Sequence, residues 1–530
     1  MPSLRKNLTS MTMQLDNRLS WTYRSSLLLI ILLGFLLRWY SLYEGHAYIY
    51  FAIRDEVSAL GYAFGLMGGD PHMFYLGQPA LNQGQIPGFL WAAFLASLYK
   101  LGGNSVEGAI FLMVLLNSAV IYLVYLLASR LMTARYALLS ALCYALSPWA
   151  IYYSAGIYNP IPLALLGVLL FLALWQTLNV EKSRTVFWVI LLAAVIPQFH
   201  MIGVFYYPAI LLLLIISPVR LNLRWLAAGV FAGVLLYIPY LIGEITHNWS
   251  NLRNVISGSD KFSLGIIKIL SIPIGMLTNH PGQWAGYTTP ELIAFANRWF
   301  GSYLILLLIN IISLILALLF ISGFFRKLYT SLHSAGFNLK IALSINRQLI
   351  FIGILLVLPL LVYILTGKAY ATRYSIFIFP LLFLLPAMYI AGVKHDRFKH
   401  ILLYSLWMMF ICNIYLVTCF YIDQNRKITT ASQFMPAFYK LDAIKKALQQ
   451  HAEKGKTIVI DSTRYIESGN KYSEIAATAI SQYIELDQGY NKKPSKPGTL
   501  QRYILVKSMA KVPAKAEIVY HDNGLIIYTR

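Results

Sequence analysis

The chain has 530 residues, of which 58% are hydrophobic and only 12% are charged, and its mean hydropathy is +0.62. A soluble protein of this length carries about twice that share of charge, so the composition excludes a soluble enzyme and predicts a helical membrane protein. The formal charge of +22 does not indicate nucleic-acid binding. The cations collect in short loops between apolar runs, where they set topology and attract anionic membrane lipids.

Residues 1–24 contain several Lys and Arg residues and are predicted to lie in the cytoplasm as a short N-terminal segment. The first span follows at 25–43 and remains in the membrane as an anchor. It leads to a long outer loop, 44–107, in which the apolar stretch Pro87–Leu101 is short for a span. We interpret that stretch as a helix at, or dipping into, the membrane surface.

Apolar runs and the basic residues at their cytoplasmic ends predict about eleven spans in the cell membrane, with the N-terminus inside and the C-terminus outside. They form a transmembrane domain, 25–421, that also contains a second outer loop, 243–298. The predicted spans are 25–43, 108–129, 134–153, 161–178, 185–197, 204–216, 225–242, 303–324, 349–365, 375–393 and 401–421.

The composition changes after the last span, and residues 422–530 are predicted to form a small extracytoplasmic α/β domain. The segments KTIVID, YILV, EIVYH and LIIYT are typical of short strands, and Asp522-Asn523-Gly524 of a hairpin turn. Lys440–Gln450 and Tyr472–Ile484 are predicted helices. The fold class is therefore an all-α polytopic membrane domain followed by this α/β domain.

Asp55 and Glu56 form an acid pair near the start of the first outer loop. Ionisable groups held beside a bilayer are costly and are functional candidates, so Asp55 is the predicted centre of the chemistry, with Glu56 beside it. The alternative is that both acids only stabilise the start of a helix by facing its dipole.

Several outer motifs follow one another in a recognisable order. The acid pair is followed by Gly69-Asp70, a Pro-containing stretch and an amphipathic run that ends in LGG. A short outer turn then ends in YNP, and a Gly-Lys…Tyr segment precedes a Pro-containing span. Over residues 25–395 this order resembles the GT-C glycosyltransferases, in the branch of the protein O-mannosyltransferases and the lipid A aminoarabinose transferases.

That resemblance implies an inverting sugar transfer from a polyprenyl-phosphate donor to a protein, lipid or glycan acceptor outside the cytoplasm. By resemblance, Asp55 is the general base, and Asn159 stands where many relatives have a second acid. Arg298, Lys368 and Tyr374 match residues that meet the donor phosphate. The sequence departs from the family at 82–85, NQGQ, where relatives often have a basic residue.

The same chemistry follows from the residue types. An acceptor hydroxyl needs a carboxylate base, and a leaving phosphate needs cations, for which Arg298, Lys368 and Arg373 lie at outer span ends. Arg298 could instead be an ordinary helix charge, and the other two could be interface anchors. Tyr158, Asn159 and His200 complete the candidate contacts, although His200 also suits a polar helix end.

No cofactor and no metal site are predicted. His46, His72 and the nearby acids lack a specific ligand spacing, although a divalent cation is left open. A secondary transporter or lipid flippase is the alternative function. Such a protein would show inverted repeats and ionisable groups at mid-membrane, whereas most charges here lie at span ends.

Overall fold

In a computed structural model, the described residues are 21–43, 53–70, 72–78, 84–257, 271, 273–284, 288–366, 372–430, 446–448, 450–451, 457–461, 500–506, 516–522 and 525–529.

The first half of the described chain is almost entirely helical. Its helices are α1 (Trp21–Tyr43), α2 (Ile53–Met67), α3 (His72–Tyr75), α4 (Leu90–Leu101), α5 (Val106–Leu131), α6 (Ala134–Ala145), α7 (Pro148–Tyr152), α8 (Leu163–Asn179), α9 (Val186–Phe199), the 3-10 helix η1 (Met201–Tyr206), α10 (Tyr207–Ile215), α11 (Leu223–Thr246) and α12 (Ser250–Ser257).

The second half of the transmembrane domain continues in the same way. Its helices are α13 (Pro281–Trp284), α14 (Thr289–Phe300), α15 (Tyr303–Ser334), α16 (Leu339–Ile345), α17 (Arg347–Thr366), the 3-10 helix η2 (Thr372–Ile378), α18 (Phe379–Leu382), α19 (Leu385–Ala391) and α20 (Asp396–Thr430).

The predicted helical membrane fold is confirmed, and the chain is an integral membrane protein. Each of the eleven predicted spans coincides with a helix or with a run of consecutive helices. In the part of the chain that the structure describes, seven segments are long and apolar enough to cross a bilayer: α1, α5, α11, α15, α17, Tyr374–Ala391 and most of α20. The count of eleven crossings and the sides of the two termini stay predictions.

Two predicted spans are interrupted rather than continuous. The third consists of α6 and α7, because Pro148 has no N–H to continue the helix and Ser147 caps α7 by accepting a hydrogen bond from the Ala150 N–H at 3.4 Å. The tenth consists of η2, α18 and α19, with Pro380 and Pro386 in the first turns of α18 and α19. Hydropathy alone predicted these spans but not their breaks.

The buried centre of the domain lies around α5, which packs against α1, α4, α6 and α8, while α9 packs along α11. The helix α4 corresponds to the predicted short helix of the first outer loop, Pro87–Leu101. Through α4 the first loop is joined to the packed helices, so the loop and the membrane domain form one continuous core.

The four predicted strands of the C-terminal domain are confirmed as β1 (Thr457–Asp461), β2 (Leu500–Val506), β3 (Glu517–Asp522) and β4 (Leu525–Thr529). They form one sheet in the order β1-β2-β4-β3, in which only the β1–β2 pair is parallel. Asp522 pairs with Leu525, as the predicted hairpin requires. Residues 446–448 and 450 of the first predicted helix are helical, whereas 472–484 lies outside the described residues.

Candidate active site

His200 lies at the end of α9, where the chain turns into η1. Its Nδ1 accepts a hydrogen bond from the Ile202 N–H at 3.2 Å, so the proton of the neutral imidazole is on Nε2. The His200 and Tyr374 ring centroids are 4.9 Å apart, and the Tyr374 and Tyr363 centroids are 6.4 Å apart. Two residues predicted from separate outer turns are therefore neighbours in the fold.

Asn159 lies directly beside this pair in the fold. Its side chain is buried, and its Nδ2 donates a hydrogen bond to the carbonyl of Phe199, the residue before His200, at 3.0 Å. Tyr158 is also buried. The YNP turn and the end of α9 are thus fastened together, and three of the predicted site residues, Asn159, His200 and Tyr374, form what we call the outer cluster.

The first outer loop passes over the end of α9 at Gly88. The backbone of Gly88 has φ +110°, and a Cβ built there would lie 2.4 Å from Oε1 of Gln198. Glycine suits this position, because any other residue would adopt a strained backbone and would displace the side chain of a fully buried neighbour. This close approach places residues 86–88 against the outer cluster.

An aromatic contact joins α9 to the helix of the first loop. The Phe199 ring centroid lies 5.9 Å from that of Trp91 and 5.4 Å from that of Phe94, both on α4. Further along α4, Tyr99 makes an edge contact with Phe64 of α2, with centroids 4.9 Å apart. Helix α2 is the helix that carries the acid pair, so it is connected to the outer cluster through α4.

Four predicted site residues are described only in part or not at all. Asp55 and Glu56 lie in the first turn of α2, and Arg373 lies in η2 next to Tyr374, but their side chains lie outside the described part of the protein. Lys368 lies outside the described residues altogether. Their roles therefore stay predictions.

Arg298 lies in the last turn of α14, a helix that begins with a capping box between Thr288 and Glu291. Its Nη1 lies 2.8 Å from Oδ1 of Asp423 on α20, and the Arg298 side chain is 48% exposed whereas that of Asp423 is 2% exposed. The Nε1–H of Trp299 points at the same oxygen from 3.5 Å. The structure thus places Arg298 in an ion pair that the sequence did not predict.

Three buried polar residues near span ends that are predicted to be outer were missed as candidates by the sequence analysis: Arg38, Gln198 and Glu244. Each interrupts or ends an apolar run, as in GFLLRWY and LIGEIT. A polar group in such a run is itself the available signal, because its burial in a membrane domain requires specific partners.

A narrow pocket of about 20 Å³, room for roughly one water molecule, lies between α6, α15, α19, α20 and the segment 276–279. Its walls are mostly apolar, and Ser147, Thr278, Asn279 and Asn413 supply polar groups. Oδ1 of Asn413 is buried and has no hydrogen-bond partner within the described ranges.

Among the described residues, no group of three or more His, Cys, Asp or Glu side chains could hold a metal ion. Asp70 serves the turn after α2, where its Oδ1 accepts a hydrogen bond from the His72 N–H at 3.0 Å. His46 lies outside the described residues.

Residues 86–242 match the family model of the dolichyl-phosphate-mannose-protein mannosyltransferases. This match runs from just before α4 into α11 and includes Asn159 and His200 of the outer cluster. A search of curated protein sequences finds no match.

The fold is similar to that of ArnT from Cupriavidus metallidurans bound to undecaprenyl phosphate, with a TM-score of 0.55, 12% identity, and coverage of 94% of this chain and 97% of ArnT. The apo form of ArnT gives a TM-score of 0.54 at 11% identity, with the same coverage.

The oligosaccharyltransferase of Archaeoglobus fulgidus, in a complex with zinc and sulfate, gives a TM-score of 0.44 at 12% identity, covering 91% of this chain and 68% of that protein. Together, the family model and the ArnT fold confirm the resemblance to the GT-C membrane glycosyltransferases, whose fold this chain has.

Proposed function

We propose that this protein is a glycosyltransferase that moves a sugar from a polyprenyl-phosphate donor to an acceptor on the extracytoplasmic side of the membrane, with inversion at the anomeric carbon. The observation that carries the proposal is the fold, which covers nearly the whole chain and is similar to a structure that contains undecaprenyl phosphate. The outer cluster supports it, because polar residues from three separate connections meet at one end of the helices.

The proposed reaction needs one base and one anion site. The oxygen of the acceptor hydroxyl attacks the anomeric carbon, and its proton passes to the carboxylate of Asp55. The bond between that carbon and the phosphate oxygen breaks, and its electron pair leaves with the polyprenyl phosphate. A positioned base of this kind contributes about 10²–10⁴-fold to the rate.

In this proposal three cations stabilise the leaving phosphate: Arg298, Lys368 and Arg373. Arg373 directly precedes Tyr374 in the sequence, and Lys368 lies six residues before Tyr374. The Nε2–H of His200 and the hydroxyl of Tyr374 add donors near the same place. Asn159 and Tyr158 complete the binding surface. Charge-assisted bonds to phosphate oxygens are stronger than neutral ones, and an Arg fork can make two of them.

The decisive experiment uses the purified full-length protein in lipid nanodiscs, with a polyprenyl-phosphate sugar as donor and no ion gradient. We expect Asp55→Asn to lower turnover by at least ~10²-fold while donor affinity changes little, because the proton transfer belongs to the transition state. Donor binding is measured separately by titration, which separates loss of chemistry from loss of binding.

Glu56→Gln is the matched control, since neighbouring side chains on a helix point about 100° apart. We expect it to cost less than Asp55→Asn. A folded Asp55→Asn protein that still transfers sugar at nearly the wild-type rate would exclude Asp55 as the base. A loss confined to Glu56→Gln would assign the base to the next residue instead.

The same assay separates the enzyme from a transporter or flippase. An enzyme consumes the donor and releases polyprenyl phosphate in nanodiscs, where no compartment exists to transport into. If the donor is bound but never consumed with any protein, lipid or glycan acceptor, transport is the better interpretation. Comparing the surface glycoconjugates of cells with and without this chain identifies the acceptor, because the acceptor lacks its sugar in cells without the chain.

A further inference from the structure

Glu244 is a buried carboxylate at the outer end of α11, and it does not belong to the outer cluster. Its side chain is only 1% exposed. Oε1 accepts a hydrogen bond from the Tyr240 hydroxyl, and Oε2 accepts one from the Leu252 N–H at 3.3 Å. Since both oxygens are engaged and shielded from solvent, Glu244 is poorly placed to take a proton from a substrate.

The Tyr240 hydroxyl links Glu244 to Asn251 on α12 through two hydrogen bonds. Having donated to Glu244, it accepts a hydrogen bond from Nδ2 of Asn251 at 3.2 Å. This bond fixes which end of the Asn251 amide is the donor. The nitrogen must face Tyr240, and the oxygen must face the other way.

The Asn251 amide makes two hydrogen bonds to the backbone of Gln85 in the first outer loop. Its Oδ1 accepts from the Gln85 N–H at 2.5 Å, and its Nδ2 donates to the Gln85 carbonyl at 3.2 Å. A donor and an acceptor side by side are what a neighbouring strand offers. The side chain of Asn251 thus replaces a strand on one edge of this segment.

The opposite edge of the same segment is paired through the next residue. The Ile86 N–H donates to the Gln78 carbonyl at 3.0 Å, and the Ile86 carbonyl accepts from the Gly77 N–H at 2.8 Å. Successive residues of an extended chain point their polar groups to opposite sides. Residues 85–86 are therefore held on both edges, by residues 77–78 on one and by Asn251 on the other.

This segment has two connections to the proposed chemistry. Nε2 of Gln85 donates to the hydroxyl of Tyr62 at 3.3 Å, and Tyr62 lies on α2, the helix of the acid pair. Three residues further on, Gly88 packs against Gln198 beside the outer cluster. The position of residues 85–88 thus bears on both the base and the binding surface.

We propose that Asn251, oriented by Tyr240 and Glu244, is a positioning residue that holds residues 85–88 of the first outer loop over the active site. The role of the held segment in sugar transfer rests on the function proposed above. Asn251 touches no reacting atom; it acts through Gln85, Tyr62 and Gly88.

The first test measures hydrogen exchange of the full-length protein in nanodiscs, with no substrate present. Asn251→Ala removes both bonds to Gln85, and we expect peptides that contain residues 84–90 to exchange about tenfold faster or more. Peptides from α5 and α8 should not change. Thr246→Ala is the matched control, because Thr246 is exposed and its hydroxyl bonds to backbone carbonyls of α11 and to the ring of the adjacent His247, not to residues 84–90.

The order of the network predicts how the variants rank. Asn251→Asp keeps the acceptor for the Gln85 N–H but loses the donor, so its effect should be intermediate. Tyr240→Phe removes the link to Glu244 but leaves the two bonds to Gln85, so its effect should be smaller than that of Asn251→Ala. The double variant Tyr240→Phe with Asn251→Ala should exchange no faster at residues 84–90 than Asn251→Ala alone, since Tyr240 acts on this segment only through Asn251.

The second test measures kcat for sugar transfer and donor affinity separately. We expect Asn251→Ala to lower kcat about tenfold or more with little change in donor affinity, because a displaced base impairs the chemistry rather than the binding. Unchanged exchange at residues 84–90, or exchange raised equally throughout the protein, would overturn the proposal. So would faster local exchange with an unchanged kcat. If the wild-type protein transfers no sugar, the proposed function fails, whereas the exchange comparison still decides whether Asn251 holds the segment.

Discussion

The ion pair between Arg298 and Asp423 bears directly on the proposed phosphate site. Nearly half of the Arg298 side chain is exposed although its Nη1 lies 2.8 Å from Asp423. A guanidinium has five N–H donors in a planar fork, so one edge can hold Asp423 while the other is available to a phosphate. In the proposed function, the ion pair would orient the Arg298 guanidinium toward the donor phosphate.

Variants of this pair test whether Arg298 binds the donor. We expect Arg298→Ala to weaken binding of a polyprenyl-phosphate sugar by roughly 10–150-fold, the cost of one charge-assisted hydrogen bond. Asp423→Asn should leave donor binding nearly unchanged or tighten it, because it releases the guanidinium. Binding is measured by titration in nanodiscs.

The double variant Arg298→Ala with Asp423→Asn separates stability from binding. Arg298→Ala alone removes the cation beside a carboxylate whose side chain is 2% exposed, and the double variant should recover much of the stability lost in this way without recovering donor binding. Equal effects of the two single variants on donor binding would show that the pair is only structural.

Gly88 offers a second test at the residue scale. Gly88→Ala should lower stability by about 2–5 kcal/mol, combining the strain of a positive φ with a clash against Gln198. Gly69→Ala is the control, since Gly69 has φ +80° but no atom within 4 Å of the added Cβ. The thermal midpoint of the purified protein should fall clearly further for Gly88→Ala. Equal shifts would mean that Gln198 moves aside at little cost.

At the scale of elements, the break between α6 and α7 is held by polar groups from other helices. Arg38 of α1 is fully buried and donates to the Ala145 carbonyl at 3.0 Å and to the Tyr144 carbonyl at 3.5 Å. Nδ2 of Asn413 donates to the next carbonyl, that of Leu146, at 3.0 Å. The Tyr144 carbonyl also accepts from the Ser147 N–H at 3.4 Å. The carbonyls of Ala145 and Leu146, at the break itself, are therefore satisfied by side chains of other helices.

Arg38→Met tests this role. We expect the free energy of unfolding to fall by about 1–3 kcal/mol, because the Ala145 carbonyl at the helix end loses its donor and the end of the α6 dipole loses its cation. Arg38→Lys should be intermediate. Arg24→Met is the control, since Arg24 is exposed at the start of the same helix. A rise in the thermal midpoint of Arg38→Met would show that relief of guanidinium desolvation outweighs the lost hydrogen bonds.

At the scale of the whole molecule, the positions of the basic residues predict eleven crossings with the C-terminal domain outside. A reporter that is active only in the cytoplasm should be silent when fused after Arg530, and active when fused after Ser334 in the basic stretch that follows α15. A reporter that is active only outside should give the reverse pattern. Cytoplasmic activity after Arg530 would contradict both the topology and the outer placement of the chemistry.

The sequence by itself determined the class of the protein, the positions of its apolar helices and the four strands of its C-terminal domain. These features are predictable because they are local. A backbone that crosses lipid must satisfy its own hydrogen bonds within a helix. An apolar run of sufficient length therefore predicts a helix without reference to the rest of the fold. Short runs rich in Val, Ile, Leu and Tyr likewise favour strands through local preferences.

Only the tertiary structure decided which polar groups meet. Arg298 and Asp423 are 125 residues apart, Asn251 and Gln85 are 166 apart, and Arg38 and Ala145 are 107 apart. Hydropathy assigns each of these residues to a span end or a loop but carries no information about its neighbours across the fold. Burial then makes each partnership obligatory, because a polar group without a partner in a membrane domain is costly, and packing of distant helices selects which partner it has.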